Sequence, residues 1–253
     1  VTIINHMFIN CITPNWPAPN QVRAYVTTRH GGVSLGSYTS LNLGDHVGDD
    51  LAAVLENRAR LKAALNMPTD PLWLKQVHGC DVAKVDKKQI DCIADASIAT
   101  TADQVCAILT ADCLPLLLCN QQGNKVAAVH AGWRGLANGV IEATLNHLNE
   151  PSEKILAWMG PAIGPNAFEV GNEVRNIFVA SDPESTAAFK PSARTPHAWM
   201  ANIYMLAHLH LKKQGVSCIY GGDFCTVSDS KNFFSYRRDQ GITGRMASLI
   251  WLE

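Results

Sequence analysis

Apolar positions recur along this chain in two rhythms. In residues 49–66, "DDLAAVLENRARLKAALN", Leu51, Val54, Leu55, Leu61 and Leu65 fall at helical spacing behind an Asp cap, and Pro68 lies beyond the end, so the segment predicts a helix. A second stripe, Leu136, Val140, Ile141, Leu145 and Leu148, predicts one helix over "LANGVIEATLNHL", residues 136–148, stopped by Pro151. Further helices are expected around "EVRNIFVA" (173–180) and "ANIYMLAHLHLKKQG" (201–215).

Shorter runs read as strands. They are "NQVRAYVTT" (20–28), "LWLKQVHGCDVAKV" (72–85), "VCAILT" (105–110), "PLLLC" (115–119), "KVAAVHA" (125–131), "VSCIYGG" (216–222) and "MASLIWL" (246–252). Those between 105 and 131 are apolar on both faces and are expected at the centre of a sheet. Strands and helices mix without strict alternation, which predicts an α+β fold. No repeat, low-complexity tract or linker interrupts residues 1–253, so a single domain is expected. The stretch "RHGGVSLGSYTSLNLGDHVGDD" shows little periodicity and reads as a long loop, a kind of segment that often carries function.

Composition narrows the partners. Apolar residues make up 47% and charged residues 17%, with a formal net charge of −1. There is no basic field to gather nucleic acid or an anionic membrane, so small molecules are the expected ligands. The longest apolar runs are too short for a spanning helix, and "VTIINHMFIN" lacks the basic start of a leader; a soluble, cytoplasmic protein is expected. The eight cysteines form no C-x-x-C pair and are expected as reduced thiols, most of them core residues.

The chemistry-bearing residues gather around "VHAGWRG", residues 129–135. If "QQGN" is a hairpin turn, residues pair when their numbers sum to about 245. Cys113 then lies at the same end of the hairpin as His130, in a bend before Pro115. His78, in "KQVHG", is a third candidate. His, Cys and His are ligand types zinc prefers. Two hydrogen-bonded core histidines with a buried cysteine, or a Cys113–His130 thiolate dyad, are the other readings of the same residues.

The strings "TRHGGVS", "SLNLGDHVGDD", "KQVHG", "TADCLPLLL", "VHAGWRG" and "FFSYRRDQGITGRMASLIWL" together resemble the YfiH-like laccase-domain family, known also as multicopper polyphenol oxidase-like or purine nucleoside phosphorylase proteins. The resemblance runs from about residue 23 to 252. It implies a single α+β domain with a layered sheet core and helices around it. It also implies a metal site carried over onto His78, Cys113 and His130. The implied activities are phosphorolysis of adenosine, inosine and methylthioadenosine, and deamination of adenosine. The sequence lacks the "HCH" string of true multicopper oxidases, so copper oxidation of phenols ranks below zinc.

Within that reading Cys113, His130 and Arg134 are the expected catalytic residues. Arg134 and the first amides of the helix beginning near 135 are expected to form an anion site. Trp133 is expected to pack, with stacking on a base as the alternative. Arg29, Arg237, Arg238 and Arg245 are further phosphate candidates, with surface ion pairing as the alternative for each. The H-x-E and P-C-x-x-C strings of the usual zinc deaminases are absent, which leaves Asp112, Asp223 and Glu169 as unranked acid/base candidates. A Cys–His amide or ester hydrolase and a copper-dependent oxidase stand as the alternative functions.

Overall fold

Strand alternation organises the molecule, because nearly every central strand is buried on both sides and must hand alternate residues to two different cores. The computed structural model describes residues 2–6, 9–85 and 92–253. In chain order its strands are β1 (Thr2–His6), β2 (Ile9–Thr13), β3 (Val22–Thr27), β4 (Val82–Lys84), β5 (Ala96–Ala99), β6 (Val105–Thr110), β7 (Leu114–Asn120), β8 (Val126–Ala131), β9 (Ile155–Met159), β10 (Glu169–Val170), β11 (Phe189–Pro191), β12 (Trp199–Ala201), β13 (Cys218–Gly221) and β14 (Met246–Leu252). The helices are α1 (Leu51–Ala64), α2 (Trp133–Ala137), α3 (Val140–Leu148), α4 (Asn172–Ser181) and α5 (Ile203–Lys213).

Two large sheets carry the fold, in the orders β1-β2-β3-β14-β6 and β13-β9-β7-β8-β5-β4. On β7, Leu117 and Cys119 face the other sheet and join Cys106 and Ile108 of β6 and Met246 and Ile250 of β14 in one core. The intervening Leu114, Leu116 and Leu118 face helices α2 to α5. On the far side, Val105, Ala107, Leu249 and Trp251 meet Leu61 and Leu65 at α1, along with Leu41 and Leu43 of the long loop. The result is an α+β stack of helix, sheet, sheet and helices, with a small sheet β10-β12-β11 beside it. Among the described residues no helix is long and apolar enough to cross a membrane.

The β7–β8 hairpin has the register expected from its turn: Pro115 pairs with His130 and Leu114 with Ala131. Gly123 takes a left-handed φ of 67° in that turn, and Asn120 accepts from the amides of Asn124 and Lys125.

Four expectations change. The stripe over 136–148 is two helices: Gly139, at φ 89°, ends α2 and starts α3. The helix therefore begins at Trp133, three residues early, and its first piece has only five residues. On α1 the cap is Asp50, whose side chain accepts from Ala52, but Leu51 and Leu55 are exposed. The buried face is Val54, Asn57, Leu61 and Ala64. The stretch 72–85 is strand only at Val82–Lys84. Upstream, single bridges at Leu72 and Lys75 and a reciprocal pair between the Gln76 side chain and the Leu109 backbone replace a ladder. Strands β1, β2 and β5 and the small sheet were not anticipated by the pattern.

Asn57 is buried because it organises the long loop. Its Oδ1 accepts from the Val33 amide at 2.8 Å, and its Nδ2 donates to Ser34 Oγ and to the Asn42 carbonyl. Leucine there would strand these partners in the core, at ~1–3 kcal/mol for each buried group left unpaired. Asn57→Leu is expected to destabilise the fold by about 2–5 kcal/mol in urea unfolding. A change within about 0.5 kcal/mol would show that water replaces these bonds.

Candidate metal centre

β8 ends on the row of side chains that faces the other sheet, so His130 arrives at the mouth between the two sheets, 3% exposed. Cys113 sits in the bend between β6 and β7, after Asp112 at a left-handed φ of 93°. His78 comes from the loop before β4, also left-handed, at φ 61°. One donor atom from each of His78, Cys113 and His130 can be chosen so that all lie within 4.8 Å of one another. The His78 Nε2 to Cys113 Sγ distance is 3.8 Å, and the two imidazoles meet edge to face with centroids 4.7 Å apart. A Cβ at Gly132 would come within 3.0 Å of the Cys113 sulfur and 3.2 Å of His78 Cδ2, so a side chain there would crowd both ligands.

The residue that sequence reasoning missed is Asp95. It is fully buried, one position before β5. The His130 Nδ1–H donates to its Oδ1 at 2.7 Å, and the amides of His78, Gly79 and Val77 donate to the same carboxylate at 2.9, 2.7 and 3.1 Å. One carboxylate thus orients the His130 ring and fixes the loop that carries His78. With Nδ1 engaged, His130 presents Nε2 to the other two ligands, the arrangement by which carboxylates orient metal-binding histidines.

Charge follows from this packing. Burial pushes the Asp95 carboxyl up, but the His130 ring and the Gly79 and Val77 amides outweigh it and hold the group below the usual carboxylate range. Burial also raises the Cys113 thiol, and His130 and His78 more than reverse that, bringing it down to about 6. His130 loses by burial and gains more from Cys113 and Asp95, rising to about 9. Without metal the pair is therefore thiolate and imidazolium. By contrast, burial alone pushes Cys11 and Cys119 up to about 12. Two imidazoles and a thiolate, three ligands with the fourth side open, match a catalytic zinc site in number and chemistry.

The open side faces a cavity of about 470 Å³, a size that takes a small-molecule ligand. Trp133, Phe168 and Tyr236 supply its aromatic wall, and Arg134, Arg237 and Arg245 its cations. Trp133 also packs against the helix-side core, with the Arg134 guanidinium 4.4 Å over its ring. Two arginines expected at an anion site lie off this cavity. Arg29 donates to the Thr39 and Ser230 carbonyls and covers Phe234. Arg238 is held by Asp239 and by the Thr226 and Phe233 carbonyls. Both tie loops together instead. Glu169 and Asp223 line a separate hollow. Asp112 does line the cavity, but its carboxylate already accepts from the Thr226 hydroxyl and the Arg237 amide. The five-residue α2 adds little dipole, so attraction for an anion falls to the guanidinium groups.

These shifts make a reactivity prediction. In protein stripped of metal, iodoacetamide should modify Cys113 ahead of the other thiols, with a rate that rises between about pH 5 and 7 and then levels as the thiolate saturates. Restoring zinc should protect it. A rate still climbing through pH 9, or one indifferent to zinc, would contradict the assignment.

Comparison with known proteins identifies the family. Residues 23–253 match the family described as multi-copper polyphenol oxidoreductase laccase. A purine nucleoside phosphorylase of Pseudomonas aeruginosa is 54% identical over 242 residues, covering 96% of this chain and 98% of that one. The purine nucleoside phosphorylase YfiH of Escherichia coli is also 54% identical over 242 residues, covering 95% and 98%. A crystal structure of a Neisseria meningitidis protein of the DUF152 family superposes with a TM-score of 0.91 at 46% identity, over 96% of this chain and 99% of that one. The chain belongs to the YfiH-like, multi-copper polyphenol oxidoreductase laccase family.

Proposed function

We propose that this protein is a zinc-dependent purine nucleoside phosphorylase that cleaves adenosine, inosine and methylthioadenosine with phosphate and also deaminates adenosine. The observation that carries the reading is the placement of His78, Cys113 and His130 on the wall of one cavity that also holds three guanidinium groups and an aromatic wall. The names of the relatives point to purine nucleosides and phosphate as the substrate class. Zinc held by the three ligands would supply Lewis acidity to the substrate or to water at the open position. The chain's own residues do the rest. Arg134, Arg237 and Arg245 draw phosphate into the cavity and offset its charge. Phe168, Trp133 and Tyr236 give a nucleobase flat apolar surface. Bond breaking at a glycosidic carbon passes through an oxocarbenium-like state, and phosphate held beside it takes the anomeric carbon.

Zinc is preferred over copper because the described residues hold one such donor group, whereas multicopper oxidation needs several copper sites. A second reading, a Cys113–His130 amide or ester hydrolase, is favoured by the thiolate–imidazolium pair of the metal-free site. The eight thiols are free, which suits a reducing compartment such as the cytoplasm.

The test is phosphate dependence. Inosine should yield ribose 1-phosphate and hypoxanthine only when phosphate is present, and Arg134→Ala should weaken apparent phosphate affinity roughly ten- to a hundredfold while retaining zinc. Base release at the same rate without phosphate would indicate a hydrolase. An unchanged phosphate constant in the variant would return Arg134 to a packing role against Trp133.

A further inference from the structure

The phosphorylase reading leaves one step without an owner. A purine leaves its sugar as an anion unless it is protonated, and the metal ligands are already committed. The titratable groups on the cavity wall are His46, His78, Asp112, Cys113, His130, Tyr236 and three arginines. His78, Cys113 and His130 form the metal site. Asp112 spends one carboxylate oxygen on Thr226 and the other on Arg237. Arginine does not give up its proton, and a phenol is a far weaker acid than an imidazolium. His46 remains.

Its setting suits the task. Within the motif "SLNLGDHVGDD", Asp45 lies against the His46 ring, Oδ1 to Nδ1 at 3.4 Å. The second oxygen of Asp45 meets Arg58 Nη2 at 3.2 Å. Arg58 is itself anchored: it donates to the Leu43 carbonyl through Nε and Nη2 and lies 4.3 Å over the Trp73 ring. Asn42 Oδ1 accepts from the Gly44 and Arg245 amides, which ties this turn to the arginine at the cavity. An imidazole whose Nδ1 faces a carboxylate is steadied in one tautomer and can offer its other nitrogen to a ligand. The ring is more than half exposed, so its presence at the wall is not required for folding.

We infer that His46 is the general acid that protonates the departing purine, with Asp45 as its positioning residue and Arg58 as the anchor of Asp45. The inference rests on the phosphorylase reading. In the step, the C1′–N9 bond breaks with its electron pair going to the base, a phosphate oxygen bonds to C1′, and the His46 proton passes to the base at N7. The proton that hydrogen phosphate gives up on esterification restores the imidazolium.

Leaving-group chemistry tests this directly. Inosine needs the proton; 7-methylinosine, whose base is already cationic at N7, does not. In the zinc-loaded full-length protein, His46→Gln is expected to lower kcat/KM for phosphorolysis of inosine about 10²–10⁴-fold and for 7-methylinosine less than about tenfold. Zinc content and melting temperature should be unchanged. Asp45→Asn should show the same asymmetry at smaller size. Equal losses on both substrates would make His46 a binding or structural residue and overturn the inference, as would undiminished turnover of inosine. If the wild-type protein phosphorolyses neither nucleoside, the phosphorylase reading itself falls, and this inference with it.

Discussion

Everything distinctive about the centre depends on one buried carboxylate. Asp95 accepts from a ring nitrogen of His130 and from three successive amides around His78, so two ligands remote in sequence are referred to a single rigid point. A carboxylate without exposure is costly unless it is fully hydrogen-bonded, and here each oxygen has two donors. That satisfaction also explains how His78 can hold a left-handed backbone conformation: the three donated bonds repay a strain that a non-glycine residue seldom carries.

The layered fold brings the remaining parts to the same place. β7 and β8 are central and buried on both sides, so their hairpin is rigid, and the bend before β7 sets Cys113 beside the end of β8. The cavity opens where the two sheets end, between the β6–β7 bend, the start of α2 and the segment from 236 to 245. Gly132 lets the backbone pass close to the thiolate, and Asp112 clamps the bend to Thr226 and Arg237. Electrostatics follows from burial: the thiolate and imidazolium stabilise each other, and guanidinium groups around the rim favour an anion.

Much of this was legible in the chain because it is local. The "QQGN" turn fixes the hairpin register, and the register alone brings Cys113 near His130. The long loop and the central apolar strands follow from composition. What was not legible depends on contacts between distant segments. Asp95 sits in "ADASIAT", a run of small residues with little strand character, and its partners lie 17 and 35 residues away. Asn57 breaks the apolar face of α1 because the loop it serves needs hydrogen bonds more than the core needs another leucine. The break at Gly139 was written as Asn-Gly, but apolar residues on both sides kept the helical rhythm and concealed it. Arg29 and Arg238 share a residue type with the cavity arginines, and only the fold shows that they lie off the cavity.

The proposed metal centre consists of two imidazoles and one thiolate with an open position. X-ray absorption at the zinc edge of the purified, zinc-loaded protein measures that set most directly. One sulfur is expected at about 2.3 Å, with nitrogen or oxygen neighbours at about 2.0–2.1 Å completing four-coordination. A zinc shell of nitrogen and oxygen alone would remove Cys113 from the metal and rule out this ligand set.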